Sequence, residues 1–108
     1  MSPAAAPRKG VATDPRTDQI CDDDLASVTF GGNHAIYEVD ASTYSDCAGC
    51  TGTSCAPGGI GSITGFEAPS TVVETTRLGA SAGATRYFVC PIEAHCLAGA
   101  KFTTSCPS

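Results

Sequence analysis

Two histidines and one cysteine carry the side chains of this sequence whose types and spacing best suit a chemical role. The segment CPIEAHCLAGAK begins at Cys90 and places His95 five residues later, while His34 lies far upstream at the start of HAIYEV. One thiolate and two imidazoles form the equatorial ligands of a blue copper site, a trigonal arrangement with a weak axial fourth ligand. We therefore expect these three residues to bind one copper ion.

The elements that position these residues are predicted to be short β-strands. β-Branched and aromatic residues are concentrated in five segments, at Val28–Phe30, His34–Val39, Ser70–Leu78, residues 84–90 and Lys101–Ser105. Short strands joined by Gly-rich turns are typical of a sandwich or a barrel, so the sequence predicts an all-β fold. A tight loop between two strands can then present Cys90 and His95 to one metal, and His34 completes the site across the sandwich.

Seven cysteines in a chain of 108 residues indicate disulfides and an oxidising compartment. Because the number is odd, one cysteine is expected to be a thiol, an intermolecular link or a metal ligand. A zinc site is an alternative to copper, since Cys47 and Cys50 of CAGC could combine with Cys90, His95 and Cys96 into a Cys/His ligand set.

The composition excludes several other functions. A net charge of −5 argues against a nucleic-acid or anionic-membrane partner, and no apolar run is long enough for a transmembrane helix. We find no Ser/His/Asp set and no paired carboxylates, so no enzymatic activity is predicted.

The domain organisation follows from composition along the chain. Residues 1–19 are rich in Pro, Ala and charge and are predicted to be a flexible N-terminal arm, followed by one domain over residues 20–108. The segment Tyr44–Gly65 is predicted to be a Gly- and Cys-rich loop, which is too long for a compact domain without cross-links.

Two spaced motifs surround the histidines. In YFVCPIEAHCLAGAK the positions that matter are Cys90, His95, Cys96, Gly99 and Lys101, and in HAIYEVDASTYSDC they are His34, Glu38, Val39, Tyr44 and Cys47. With these motifs the chain resembles the phytocyanins, the plant-type blue-copper family of the cupredoxin superfamily, over roughly residues 24–105.

The resemblance implies a cupredoxin-like Greek-key β-sandwich or barrel. It also implies that copper is held by His34, Cys90 and His95 and that Cys47 pairs with Cys96. The activity of the family is one-electron transfer or copper binding outside the cytosol. The family's Trp-bearing first strand has no clear counterpart before Cys21, so the resemblance predicts an incomplete N-terminal strand.

If Cys90 is a ligand, six cysteines remain for three bridges. Besides the pair that the resemblance implies, Cys50 and Cys55 could close a small loop, and Cys21 with Cys106 would tie the arm to the C-terminus. Connectivity cannot be read from sequence alone, so these two pairings are inferences.

The chain departs from the family pattern at two positions near the expected metal. Ala100 stands where the family usually has an axial Met or Gln, and alanine cannot bind copper. Ala35 stands where a polar Asn or Asp usually follows the first histidine, so a side-chain link between the ligand loops is lost. A missing axial donor is expected to favour Cu(I) and to raise the reduction potential.

These observations lead to one function hypothesis and two alternatives. The first is a small extracellular or lumenal type 1 (blue) copper protein that carries one electron to a redox partner protein. The second is a disulfide-stapled, phytocyanin-like structural module at the cell surface, serving an assembly partner, with copper optional or lost. The third is copper storage or delivery without a redox role.

Overall fold

The structure is a computed structural model that describes residues 2–5, 17–22, 26–29, 34–67, 72–75, 78–92 and 94–107. Eight strands and one short helix lie within these residues. In chain order they are β1 (Ser2–Ala5), β2 (Thr17–Gln19), β3 (Ala26–Thr29), β4 (His34–Val39), α1 (Ala41–Asp46), β5 (Gly59–Glu67), β6 (Val72–Thr75), β7 (Thr85–Val89) and β8 (Lys101–Ser105).

The strands form two sheets. One has the order β1-β3-β6 and is antiparallel; the other has the order β2-β8-β7-β4-β5. In the five-stranded sheet β8, β7, β4 and β5 are antiparallel, and β2 runs parallel to β8. The described chain is therefore predominantly strand, as the sequence predicts. No helix among the described residues is long and apolar enough to cross a membrane.

The main apolar core joins the two sheets. Val28 of the three-stranded sheet packs with side chains of the five-stranded sheet and its flanking segments, and the cluster consists of Ile20, Val28, Ile36, Leu78, Phe88 and Phe102, all fully buried. Phe88 and Phe102 are directly paired across β7 and β8, and their rings stack with centroids 5.0 Å apart. We call the side of the five-stranded sheet that bears these residues its inner face.

The outer face of the same sheet is covered by α1 and by two disulfides. Because side chains alternate along a strand, the residues between the core positions point to this side. Val39 and Val89 are buried there together with Cys55 and Cys96, and Tyr37, Tyr44 and Tyr87 pack against them. This second cluster fixes the helix on the sheet.

Helix α1 is set by local hydrogen bonds at both ends. Asp40 is the N-cap, and its Oδ1 accepts from the backbone N–H of Thr43 at 2.9 Å, which is the usual way to satisfy an N-terminal helix donor. This hydrogen bond holds the pKa of Asp40 below its ordinary value. Cys47 ends the helix with φ 59° and donates its N–H to the carbonyl of Thr43.

Several predicted strands are confirmed, and two of them have the predicted bounds. His34–Val39 and Lys101–Ser105 are β4 and β8, and the segment 84–90 contains β7. β3 (Ala26–Thr29) overlaps the predicted segment Val28–Phe30, and β6 (Val72–Thr75) lies within the predicted segment Ser70–Leu78. Phe30 lies outside the described residues.

Two segments differ from the sequence prediction. The segment predicted as a Gly- and Cys-rich loop contains the end of α1 and most of β5, because the glycines of Gly59–Glu67 are held in a ladder with β4. The segment 1–19, predicted to be a flexible arm, contains β1 and β2, which gain their backbone hydrogen bonds from β3 and β8. In both cases pairing with a distant strand outweighs a weak local preference.

A partly buried ion pair joins the strand that carries His34 to the strand that leads to Cys90. Arg86 of β7 donates from Nε and Nη2 to the two carboxylate oxygens of Glu38 on β4, at 3.0 and 2.7 Å. Its Nη1 donates to the carbonyl of Gly79 at 2.7 Å, and its guanidinium lies over the ring of Phe88. The side chains of Arg86 and Glu38 are 24% and 15% exposed, so the pair is partly shielded from solvent.

Replacement of Arg86 by Lys should destabilise the protein by about 1–2 kcal/mol. A lysine keeps the charge but cannot bind both carboxylate oxygens and the Gly79 carbonyl from one planar group. Urea unfolding measures the free energy, and Thr85→Ala on the same strand, at an exposed position, is the control. Equal stability of Arg86→Lys and wild type would show that the paired geometry contributes nothing.

Candidate metal centre

The loop over residues 90–100 connects β7 to β8 and carries two of the three predicted ligands. The N–H of Cys90 donates to the carbonyl of Ala100 at 2.9 Å, which closes the loop at its base. Inside it, the carbonyl of His95 accepts from the N–H of Ala100 at 2.9 Å, and the N–H of His95 donates to the carbonyl of Ile92. These backbone hydrogen bonds fix His95 relative to Cys90.

The structure brings the three predicted ligands together. One ligand atom from each of His34, Cys90 and His95 lies within 4.8 Å of the other two. The sulfur of Cys90 is 3.4 Å from Nδ1 of His95, and the two imidazole rings have centroids 4.7 Å apart. Cys90 is fully buried and both histidines are half-buried. His34 begins β4 and Cys90 directly follows the antiparallel β7, so both lie at the same end of the sheet.

Strand alternation explains why these donors converge. Ile36 and Phe88 point into the inner core, so His34 and Cys90, two residues from them along their strands, lie on the same face. By the same alternation Ala100 lies on the face of Phe102, and its side chain is 8% exposed. The fold therefore directs the methyl group of Ala100 toward the side on which the three donors meet.

Contacts on the outer face of the sheet hold the loop over residues 90–100, which we call the metal loop. A disulfide links Cys96, the residue after His95, to Cys47 at the end of α1. The N–H of Gly52 donates to the carbonyl of Pro91 at 2.7 Å, and the ammonium of Lys101 donates to the carbonyl of Tyr44 at 2.7 Å. Bonds at the start, middle and end of the loop thus limit its freedom.

The protonation of His34 suits metal binding. Burial, and to a smaller degree nearby positive charge that includes His95, holds the pKa of His34 below its ordinary value of 6.5. A lowered pKa leaves the imidazole neutral at neutral pH, and only the neutral form can bind a metal. Proton competition at this ligand is therefore expected only at acidic pH.

All seven cysteines lie among the described residues, and six of them form disulfides. The pairs are Cys21–Cys106, Cys47–Cys96 and Cys50–Cys55, the same three that the sequence analysis reaches. Cys90 is the buried cysteine outside these bridges. Three disulfides indicate an oxidising environment.

The disulfides also decide against the cysteine-rich zinc set. That set needs Cys47, Cys50 and Cys96 as thiolates, but each of them is bonded to another sulfur. Among the described residues, the group that could hold a metal ion contains one cysteine and two histidines.

Glu38, Tyr44 and Lys101 belong to the two motifs, but sequence reasoning missed the contacts through which they support the centre. The Glu38–Arg86 pair joins residues 48 apart in the sequence, and Lys101 reaches Tyr44 across 57 residues. No local pattern marks such pairs. The cap at Asp40 did carry a signal, because aspartate is one of the residues favoured at the N-cap of a helix.

Comparisons of the chain with protein-family models, with curated proteins and with solved structures find no match. The assignment of a function therefore depends on the geometry of the centre itself.

Thiol titration should find one reactive cysteine per chain, and only after unfolding. In the metal-free native protein Cys90 is fully buried and should react slowly, whereas in guanidinium it should react at once. An absorbance assay for thiols with and without denaturant measures both states. Three or more thiols in the unfolded protein would contradict the disulfide set.

Proposed function

We propose that the protein is a type 1 (blue) copper protein of the phytocyanin kind, which carries one electron outside the cytosol. The observation that carries the proposal is the convergence of one buried thiol and two imidazoles, with ligand atoms within 4.8 Å of one another. Thiolate suits Cu(I), imidazole suits both oxidation states, and this donor set is diagnostic of blue copper centres.

The residues present fit a copper ion for three reasons. The three equatorial donors are present in His34, Cys90 and His95. The competing thiols are oxidised to disulfides, and burial lowers the pKa of His34, which favours its neutral form. When bound, copper would supply a one-electron couple between Cu(I) and Cu(II).

The contribution of the protein to such a couple is a rigid arrangement of ligands. The backbone bonds of Cys90 and His95 to Ala100, together with the Cys47–Cys96 bridge, hold the loop in one conformation. The Glu38–Arg86 pair fixes β4, which carries His34, against β7. A cage that changes little between the two oxidation states lowers the barrier to electron transfer.

The alternative of a structural module at the cell surface, with copper optional or lost, rests on the alanine at position 100. Alanine offers no axial donor, so a metal would be held by three protein ligands. The presence of both histidines of the chain at the centre favours the copper protein over this alternative. A redox partner protein is then the expected partner.

Addition of Cu(II) to the metal-free protein should produce an intense absorption near ~600 nm, with one copper bound per chain. Copper–thiolate charge transfer is the source of this band, so Cys90→Ser should abolish it. The matched control is the double variant Cys50→Ser with Cys55→Ser, which removes two sulfurs outside the centre and should keep the colour. Retained colour in Cys90→Ser would refute the ligand assignment.

Ala100→Gln and Ala100→Met should lower the reduction potential, with Gln having the larger effect. A new axial donor stabilises Cu(II) more than Cu(I), and the amide oxygen is the stronger donor to Cu(II). A shift of about 59 mV corresponds to a tenfold change in a one-electron equilibrium, which voltammetry resolves.

Ala98→Gln is the control for this prediction. It makes the same substitution at an exposed position of the same loop and should leave the potential unchanged. Equal potentials in Ala100→Gln and wild type would show that the side chain at position 100 does not reach the metal.

A further inference from the structure

Two of the three disulfides lie in one cluster on the outer face of the five-stranded sheet. The sulfur-bearing residues Cys47, Cys50, Cys55 and Cys96 all pack in it. Cys47 and Cys50 are the ends of a CxxC segment, and the N–H of Cys50 is 3.5 Å from the carbonyl of Cys47, which it donates to across a turn. A turn of this kind brings its first and last residues within the range over which cysteines can be bridged.

The two bridges are alike in having one accessible and one buried end. Cys47 and Cys50 are half-buried, whereas Cys55 is 3% and Cys96 2% exposed. The accessible ends are therefore the two members of the CxxC segment. Cys50 is the more exposed end of its bridge, so an incoming thiol would attack its sulfur and displace that of the buried Cys55.

The bridges differ in how strongly chain entropy favours them. Cys50–Cys55 spans 5 residues of sequence, and Cys47–Cys96 spans 49. Since a short loop loses less entropy when it is closed, its cross-link adds less stability in the chain-entropy description. The Cys50–Cys55 bridge is the one that a mild reductant should open first.

We propose that Cys50 and Cys47 form a thiol–disulfide exchange site that controls the anchoring of the metal loop. A glutathione thiolate attacks the sulfur of Cys50, the Cys50–Cys55 bond breaks, and Cys55 leaves as a thiolate that takes a proton from water. A second glutathione thiolate attacks the glutathione sulfur of the mixed disulfide, which releases Cys50 as a thiolate and oxidised glutathione. Two electrons from two thiols have then reduced one bridge.

The second step is an isomerisation and needs no further reductant. The Cys50 thiolate attacks the sulfur of Cys47, a Cys47–Cys50 bond forms, and the Cys47–Cys96 bond breaks with Cys96 as the leaving thiolate. Cys96 directly follows His95, so the loop over residues 90–100 loses its covalent link to α1. Weakened metal retention follows if the proposed copper function holds; the exchange itself does not depend on it.

Cys55→Ser tests the exchange directly, because it leaves a permanent thiol at Cys50. The metal-free full chain is incubated with a trace of glutathione, quenched in acid, and alkylated with N-ethylmaleimide in guanidinium. Peptide mass spectrometry then identifies the labelled cysteines. We expect labelling of Cys96 at least about tenfold above that in Cys50→Ser, in which the remaining thiol is the buried Cys55.

The proposal would be overturned if Cys55→Ser is labelled at Cys50 and Cys90 but its labelling at Cys96 does not exceed that of the Cys50→Ser control. If this variant does not fold, wild type in glutathione buffers of graded potential gives the answer. After the Cys50–Cys55 bridge opens, a peptide with a Cys47–Cys50 disulfide should appear together with a Cys96 thiol. The absence of these two species at every potential would refute the exchange. In copper-loaded Cys55→Ser, labelling of Cys96 without loss of colour or of copper would refute control of the metal loop.

Discussion

The hydrogen bond from the N–H of Cys90 to the carbonyl of Ala100 is the constraint on which the candidate centre depends. It continues the β7–β8 ladder by one step beyond Val89 and Lys101, so the loop between the strands begins and ends at one fixed point. Since Ala100 also bonds to the carbonyl of His95, one residue fixes the backbone of both loop ligands. The backbone ladder itself therefore sets the positions of the two donors that the loop carries.

The two faces of the five-stranded sheet have different structural roles. The inner face holds the aromatic core and, at one end, the three donors; the outer face holds α1, three tyrosines and two disulfides. Side chains on the inner face determine which donor atoms come together. Contacts on the outer face restrict the motion of the loop over residues 90–100. The outer face can therefore influence the centre without contributing a ligand.

The sequence was a good guide wherever a property is local. The strands His34–Val39 and Lys101–Ser105 are rich in β-branched and aromatic residues, and the ligand set follows from residue type and spacing. It was a poor guide where structure comes from distant partners: β5 is glycine-rich and needs β4, and β1 and β2 need β3 and β8. The Glu38–Arg86 pair could not be predicted for the same reason, because its two residues come together only when β4 and β7 have paired.

The Cys21–Cys106 bridge has a mechanical consequence. It joins residues 85 apart in sequence, and Cys21 also forms a β-bridge with Ala80. A tension that acts between Cys21 and Cys106 would pass through the covalent bond and not through the strands between them. The loop over residues 90–100 lies inside that closed ring and would carry none of the force that passes through this bond.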